Sequence, residues 1–330
     1  MKRNAILFTA CFFLLAACGL APRTTVPQIT GEQPLTPVRL PMGYIPNVQF
    51  APFYIAQEKG YFKEEGITVE FDYRFETDGV ALVGAGTLPF AVVSGDQVPL
   101  ARAQGLPVVF VATWWNGYPV AVMAMKASGI QTVADLKGKK VGIPALSGAS
   151  YVGFRALLNS EGVKEDELQL EVINYTQVES LISGKEDAVV VYANNEPVQM
   201  RARGYEVNVI RVADFVNLAS NGLLSNEKIL REKSDLVRGM IRAILRGVRD
   251  AIADPDEAYT ISKKYVDIPA EQDAVQKQVL AASIEFWRTD KPGWSDPAAW
   301  QNMELTLRSM GLLTQPLDIT KAYSNDFLPA

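Results

Sequence analysis

The stretch Val38-Arg39-Leu40-Pro41-Met42-Gly43-Tyr44-Ile45-Pro46-Asn47-Val48-Gln49-Phe50-Ala51-Pro52-Phe53-Tyr54-Ile55-Ala56-Gln57-Glu58-Lys59-Gly60 decides the fold class. Val38 to Tyr44 reads as a strand and Phe50 to Lys59 as a helix closed by Gly60, after which Ile67 to Tyr73 is a second strand. The alternation continues outward. Gly79 to Gly84 is helical, Phe90 to Val93 is a short buried strand, Gln97 to Gln104 is a helix ended by Gly105, and Val108 to Thr113 is a strand. Strand and helix in turn predict an α/β layer with a mainly parallel sheet.

A second α/β unit begins after about residue 122. Its strands are read at Val120 to Met125, Lys140 to Ile143, Leu168 to Asn174, Ala188 to Tyr192 and Glu206 to Arg211. Its helices are read at Thr132 to Leu136, Ser150 to Ser160, Gln177 to Ser183 and Glu196 to Arg203. From Glu227 the apolar period becomes helical, with Leu236, Met240, Ile244 and Val248 on one face and Arg238, Arg242, Arg246 and Arg249 on the other. Helices follow near 227–253, 255–265, 270–287, 296–309 and 317–325, and the Arg face reads as solvated. The expectation is a two-lobed molecule: residues 38–121 plus 226–330 as lobe one, residues 122–225 as lobe two, and the helical tail packed back on lobe one.

The chain has 330 residues, 48% of them hydrophobic, enough for one large or two medium domains at roughly 100 to 200 residues each. It contains no His, which removes Ser-His-Asp and Cys-His catalysis and His-ligated zinc or haem. With 32 Lys+Arg against 37 Asp+Glu and no basic stripe, nucleic-acid binding is not expected. No metal or cofactor is expected either.

Residues 1–17 combine the basic start Lys2-Arg3, an apolar run from Ala5 to Leu15 and the small pair Ala16-Ala17, the three parts of a secretory leader. Its apolar run is too short for a comfortable transmembrane span. Leu15-Ala16-Ala17-Cys18 resembles a bacterial lipobox, in which the Cys is acylated, and Cys11 lies in the removed segment, so Cys18 would have no disulfide partner. Residues 18–37, rich in Pro, Thr and Gln, read as a tether. A lipid-anchored, extracytoplasmic monomer is expected at the cell membrane.

Ligand sites in open α/β sheets lie beyond the carboxyl ends of the strands, and that rule selects five loops. In the first, Tyr44 suits stacking and Asn47 suits hydrogen bonding to a planar ligand, although Pro46-Asn47 is equally a turn in which Asn47 caps a helix. Ser94 and Asp96 open another helix, where an Asp is commonly a cap. Trp114 and Trp115 stand before the crossover into lobe two and suit a flat ring, with core packing the alternative for one of them. Ser147, Gly148 and Ser150 lie at a strand-to-helix junction able to bind an anion or a polyol, without a Lys or Arg in the loop. Tyr192, Asn194, Asn195 and Glu196 supply amides and a carboxylate for ring or chain N–H and O–H groups, with capping again the alternative. No nucleophile and base are paired, so catalytic residues are not expected; Asp96 and Glu196, on opposite lobes, are the candidates for an acid–base pair if there were one.

The stretch from Gly43 through Phe50 to Ile67, with Asp135-Leu136-Lys137-Gly138, Asp187-Ala188 and Glu196-Pro197, resembles the substrate-binding proteins of ABC importers related to thiamine-pyrimidine synthases. The resemblance covers about residues 38–250 and implies the type 2 periplasmic-binding fold. Members of this branch bind pyrimidine thiamine precursors, riboflavin, sulfonates or nitrate. The synthase relatives carry a His and a Cys-rich motif that this chain lacks, so the resemblance implies binding rather than catalysis, with a membrane permease as partner. Tyr44-Ile45-Pro46-Asn47 and the residues following it are most similar to riboflavin-binding lipoproteins, which implies riboflavin as the transported ligand, a pyrimidine precursor being the runner-up. Sulfonate and nitrate would want a cationic pocket that none of these loops supplies.

Overall fold

The structure, a computed structural model, describes residues 34–329. The expected leader, Cys18 and the tether as far as Gln33 lie outside the described residues. Among those described, no helix is long and apolar enough to cross a membrane.

The chain opens with β1 (Thr36–Gly43), α1 (Ala51–Glu58), α2 (Tyr61–Glu64), β2 (Ile67–Phe75) and α3 (Glu76–Gly84). It continues through β3 (Ala91–Val93), α4 (Gln97–Ala103) and β4 (Val108–Thr113). β1 starts two residues before the expected strand, so Thr36 and Pro37 belong to the sheet and not to the tether; they pair with Ile67 and Thr68 of the parallel strand β2. α1 follows directly on a 3-10 turn, and its residues Ala51 to Ala56 are all buried, with Pro52 in its first turn where a missing N–H costs nothing.

The second sheet is built from β5 (Val120–Met125), β6 (Lys140–Ile143), α5 (Gly148–Ser160), β7 (Gln169–Val172), α6 (Gln177–Ile182), β8 (Ala188–Tyr192), α7 (Glu196–Ala202) and β9 (Val207–Arg211). Its strand order is β7-β6-β8-β5-β9. The chain then returns through β10 (Gly222–Asn226), which inserts between β3 and β4. Two α/β layers joined by two crossovers make the two-lobed fold.

The first lobe holds two sheets, the parallel pair β1-β2 and the three-stranded β3-β10-β4, and only the pair is purely parallel: β10 runs against both of its neighbours, and so does β5 in the five-stranded sheet of the second lobe. Each is the first strand after a crossover: β10 enters between β3 and β4 from their carboxyl ends and so runs against them, whereas β5 opens its sheet and β8 and β9 are laid down against it. Residues 222–225, read from sequence as the end of lobe two, are on the first lobe's sheet. All five residues of β10 are buried, which erases the alternation that marks a strand in sequence. Val120 and Ala121, read as the end of lobe one, pair with Tyr192 and Val191 on the second sheet.

The tail is helical: α8 (Glu227–Glu232), α9 (Ser234–Ala253), α10 (Pro255–Ser262), α11 (Asp273–Trp287) and α12 (Pro297–Ser309). The single helix read over 227–253 is broken at Lys233, and the last piece near 317–325 is only a 3-10 turn at Ile319–Lys321. Asn226 caps α8 by accepting from Ile229 N at 3.0 Å. α9 buries Val237, Met240, Ile241, Ile244 and Val248, and it packs with α10 on α1 of lobe one. The approach is close: a Cβ on Gly247 would stand 2.0 Å from the Pro52 carbonyl oxygen. α11 and α12 also touch α7 and α5, so the tail reaches helices of both lobes. The Arg face of α9 is not simply solvated, since Arg242 and Arg246 pair with Glu65 and Glu64 next to α2 and Arg238 lies over the Phe327 ring.

Candidate functional site

The carboxyl ends of β1, β3, β6 and β8 converge on one cleft of about 310 Å³, joined by the N-termini of α3 and α5 and by the two crossovers. That volume is at the lower end of the range for small-molecule sites. Lobe one contributes Tyr44, Gln49, Phe50, Phe75, Glu76, Gln97, Trp114 and Asn221; the second sheet and its loops contribute Ser147, Gly148, Ser150, Tyr175, Gln177, Tyr192, Asn195 and Glu196. Among the described residues, its lining holds no Lys or Arg.

Aromatic rings line both sides. Trp114 is stacked between Phe50 and Trp287, with ring centroids 6.0 Å away in each case, and meets Phe53 edge-on. Tyr44 and Tyr175 meet across the cleft in an edge-to-face contact with centroids 5.3 Å apart. Phe75 and Tyr175, both in the cleft lining, are 70% and 54% exposed, so their rings are open to a ligand.

The polar groups are carboxyls, amides and hydroxyls. Glu76, the first residue of α3, accepts from the Ser94 N–H and from Ser94 Oγ at 3.0 Å. Burial and the neighbouring Asp96 carboxyl push Glu76 up to about 8. Glu196 accepts from Tyr192 N and from Asn195 Nδ2, both at 2.9 Å, and burial outweighs those bonds to raise it to about 7. Asp96 is fully buried beneath Gln97, which donates to it at 2.8 Å; burial raises its pKa as well. Burial raises the Tyr44 hydroxyl, helped by the Glu196 charge, and Tyr192 likewise rises through burial and the Glu76 charge. Both phenols are therefore neutral donors or acceptors at physiological pH.

Of the residues selected from sequence, Tyr44, Trp114, Ser147, Gly148, Ser150, Tyr192, Asn195 and Glu196 stand on the cleft wall. Asn47 is not on it, because its side chain accepts from Gln49 N at 3.0 Å and starts the turn that leads into α1. Ser94 lies behind Glu76, and Asp96 behind Gln97. Trp115 is fully enclosed against Trp114, Phe286 and Tyr192, so core packing claims this one of the pair. Asn194 is fully buried and donates to Ser283 Oγ at 2.9 Å, tying the second lobe to α11. Three capping alternatives are absent: none of Asp96, Ser147 and Asn195 makes a side-chain cap bond at its helix.

Sequence reasoning passed over Glu76, Phe75 and Tyr175. The rule that selected the other loops applies to them too, but β2 runs straight into α3 with no loop between, and Tyr175 follows a strand ending at Val172 and not at Asn174. Asn174, before Tyr175, has a left-handed backbone with φ of 51°, the kind of position at which a short polar side chain marks a sharp turn.

The model of the NMT1/THI5-like family matches residues 47–258. The chain is similar to the riboflavin-binding protein RibY of Chloroflexus aurantiacus, 39% identical over 98% of this chain and 95% of that one. It is also similar to the formylaminopyrimidine-binding protein of Halalkalibacterium halodurans, 27% identical over 96% of this chain and 98% of that one. Among solved structures, the periplasmic aliphatic sulphonate-binding protein SsuA of Escherichia coli superposes with a TM-score of 0.73, covering 87% of this chain and 96% of that one at 14% identity, a likeness of fold alone. With two lobes around one cleft and a family match over most of its length, this chain belongs to the NMT1/THI5-like family and has the type 2 periplasmic-binding fold.

Proposed function

We propose that the protein is an extracytoplasmic solute-binding protein of an ABC importer that captures riboflavin between its lobes and delivers it to a membrane permease. One observation carries the reading: a cleft walled by Tyr44, Phe50, Phe75, Trp114, Tyr175 and Tyr192, with hydroxyl, amide and carboxyl groups between the rings and no cationic side chain in its lining among the described residues. Aromatic faces suit the isoalloxazine ring, and Ser147, Ser150, Asn195 and Glu196 suit its polar edge or its ribityl chain. Similarity to a riboflavin-binding protein over nearly the whole chain supports this choice. Closure follows differential affinity of the ligand for the closed lobes. The leader and Cys18 support a lipid anchor at the outer face of the cell membrane.

A pyrimidine thiamine precursor is the second reading, favoured by the similarity to a formylaminopyrimidine-binding protein. Binding without turnover fits a chain with no His, whose Glu76 and Glu196 are engaged by Ser94, Tyr192 and Asn195. The test is a tryptophan-fluorescence titration of the purified chain with riboflavin and with an aminopyrimidine precursor, each recovered afterwards and checked for chemical change. Saturable quenching by riboflavin with the ligand recovered intact is expected. A response to the pyrimidine alone would overturn the choice of vitamin, and conversion of either compound would overturn binding without turnover.

A further inference from the structure

We propose that Glu76, in its ionised form, is a specificity-determining residue that closes this cleft to anions, so that the site takes an uncharged ring and polyol chain and rejects the phosphate ester or sulfonate of a similar molecule. The inference rests on the reading of the cleft as a binding site for a flat vitamin, and it adds which charge state of that ligand enters.

The argument starts from α5. Its thirteen residues begin at Gly148, and Ser147 at its N-cap makes no side-chain bond to the first turn. The uncapped N–H groups and the helix dipole make such an end the natural seat for an anion. Here the protein's own carboxyl stands before it. Glu76 comes from α3 on the other side of the cleft, and its Oε2 lies 3.8 Å from the point where a Cβ on Gly148 would be. Gly148 has a left-handed φ of 70°, a conformation that favours glycine, and the carboxyl oxygen stands at ordinary contact distance from that point. Ser94, almost fully buried, holds the carboxyl in place through its N–H and its Oγ, so Glu76 is not a surface side chain that swings aside.

The rest of the cleft adds to the exclusion. Asp96 lies beneath the wall and Glu196 on it, and no Lys or Arg of the lining, among the described residues, offers a counter-charge. Once Glu76 is ionised, a ligand anion brought to α5 would therefore displace it from the N-terminus or face it at close range, and like charges in a desolvated site are strongly unfavourable. An uncharged hydroxyl meets no such penalty and can donate to the same carboxyl.

The experiment uses the full chain at pH 9, above the value of about 8 to which burial and Asp96 raise Glu76. Four probes are titrated: riboflavin, riboflavin 5′-phosphate, 4-amino-5-hydroxymethyl-2-methylpyrimidine and its phosphate monoester. The expected result is that the ester of whichever ring binds is at least about 100-fold weaker than the neutral compound. In Glu76→Gln this ratio falls by at least about tenfold. Where Glu76→Gln is not folded by circular dichroism, Glu76→Asp replaces it, since shortening the arm withdraws the charge from α5, and the ratio then falls at least about threefold. Equal binding of ester and neutral compound by the unaltered chain, or an unchanged ratio in the folded variant, overturns the proposal. Binding of the pyrimidine pair alone would refute riboflavin as ligand and still decide the role of Glu76. A chain that binds neither neutral ring loses both readings.

Discussion

Tyr44, just after β1, and Tyr175, in the loop after β7, meet edge to face with ring centroids 5.3 Å apart and planes at 74°, so each lobe contributes one ring to a contact across the same cleft. An aromatic pair of this kind is worth about 0.5–1.5 kcal/mol beyond its burial, enough to bias a two-lobed molecule between open and closed forms. A double-mutant cycle with Tyr44→Ala and Tyr175→Ala, read in riboflavin affinity, is expected to give a coupling of about that size. Strictly additive losses would show that the contact plays no part in closure.

Trp114 and Trp115 are neighbours in sequence with different duties. Trp114→Ala is expected to weaken riboflavin binding by more than about 1 kcal/mol, because its ring is on the cleft wall. Trp115 is wholly enclosed behind it, and Trp115→Ala is expected to cost about 3–5 kcal/mol of stability in urea unfolding. Trp115→Phe, which keeps most of the packing, should bind riboflavin within about twofold of the unaltered chain. The reverse pattern would exchange the two assignments.

Glu76 and Glu196 make stability depend on pH in the direction opposite to a surface carboxylate. Their values rise from the ordinary 4.5 to about 8 and about 7, chiefly through burial. Between 4.5 and those values the folded chain holds protons that the unfolded chain has released, so the stabilising contribution is complete below pH 4.5 and is lost as the pH rises through 7 and 8. Urea unfolding of the unaltered chain should therefore become easier from pH 5 to pH 9 relative to Glu76→Gln/Glu196→Gln. Parallel pH profiles for the two proteins would contradict the burial of these carboxyls.

Gly247 tests how closely the tail is seated on lobe one. Gly247→Ala would put a Cβ against the Pro52 carbonyl and force α9 away from α1, an overpacking expected to cost at least about 1–3 kcal/mol of unfolding free energy. Unchanged stability would mean that α9 shifts freely on α1.

Much of the fold was legible because local pattern and final environment agree. α1 is one case: an apolar run opened by Pro52 and followed by Gly60 has few other options, and it lies within a residue or two of its expected place. β10 is the opposite case, since Gly222-Leu223-Leu224-Ser225-Asn226 carries no period and becomes a strand only because β3 and β4 lie open on either side of it. The broken helix at Lys233 is similar, being set by where Asn226 caps α8 and where α9 must lie on α1.

Sequence by itself determined the α/β class, the two-lobed resemblance, the absence of imidazole chemistry and the loops at the strand ends, because each depends on residue type and short-range spacing. Only the tertiary structure decided which side of each loop faces the cleft. It turned Tyr44 and Trp114 to the wall and put Trp115, Asn194 and Asp96 behind it; it also brought Glu76 of α3 against the N-terminus of α5, more than seventy residues away in the chain. Such pairings are set by the crossovers that bring the strand ends of two lobes to one cleft, and no periodicity within either segment encodes the distance between them.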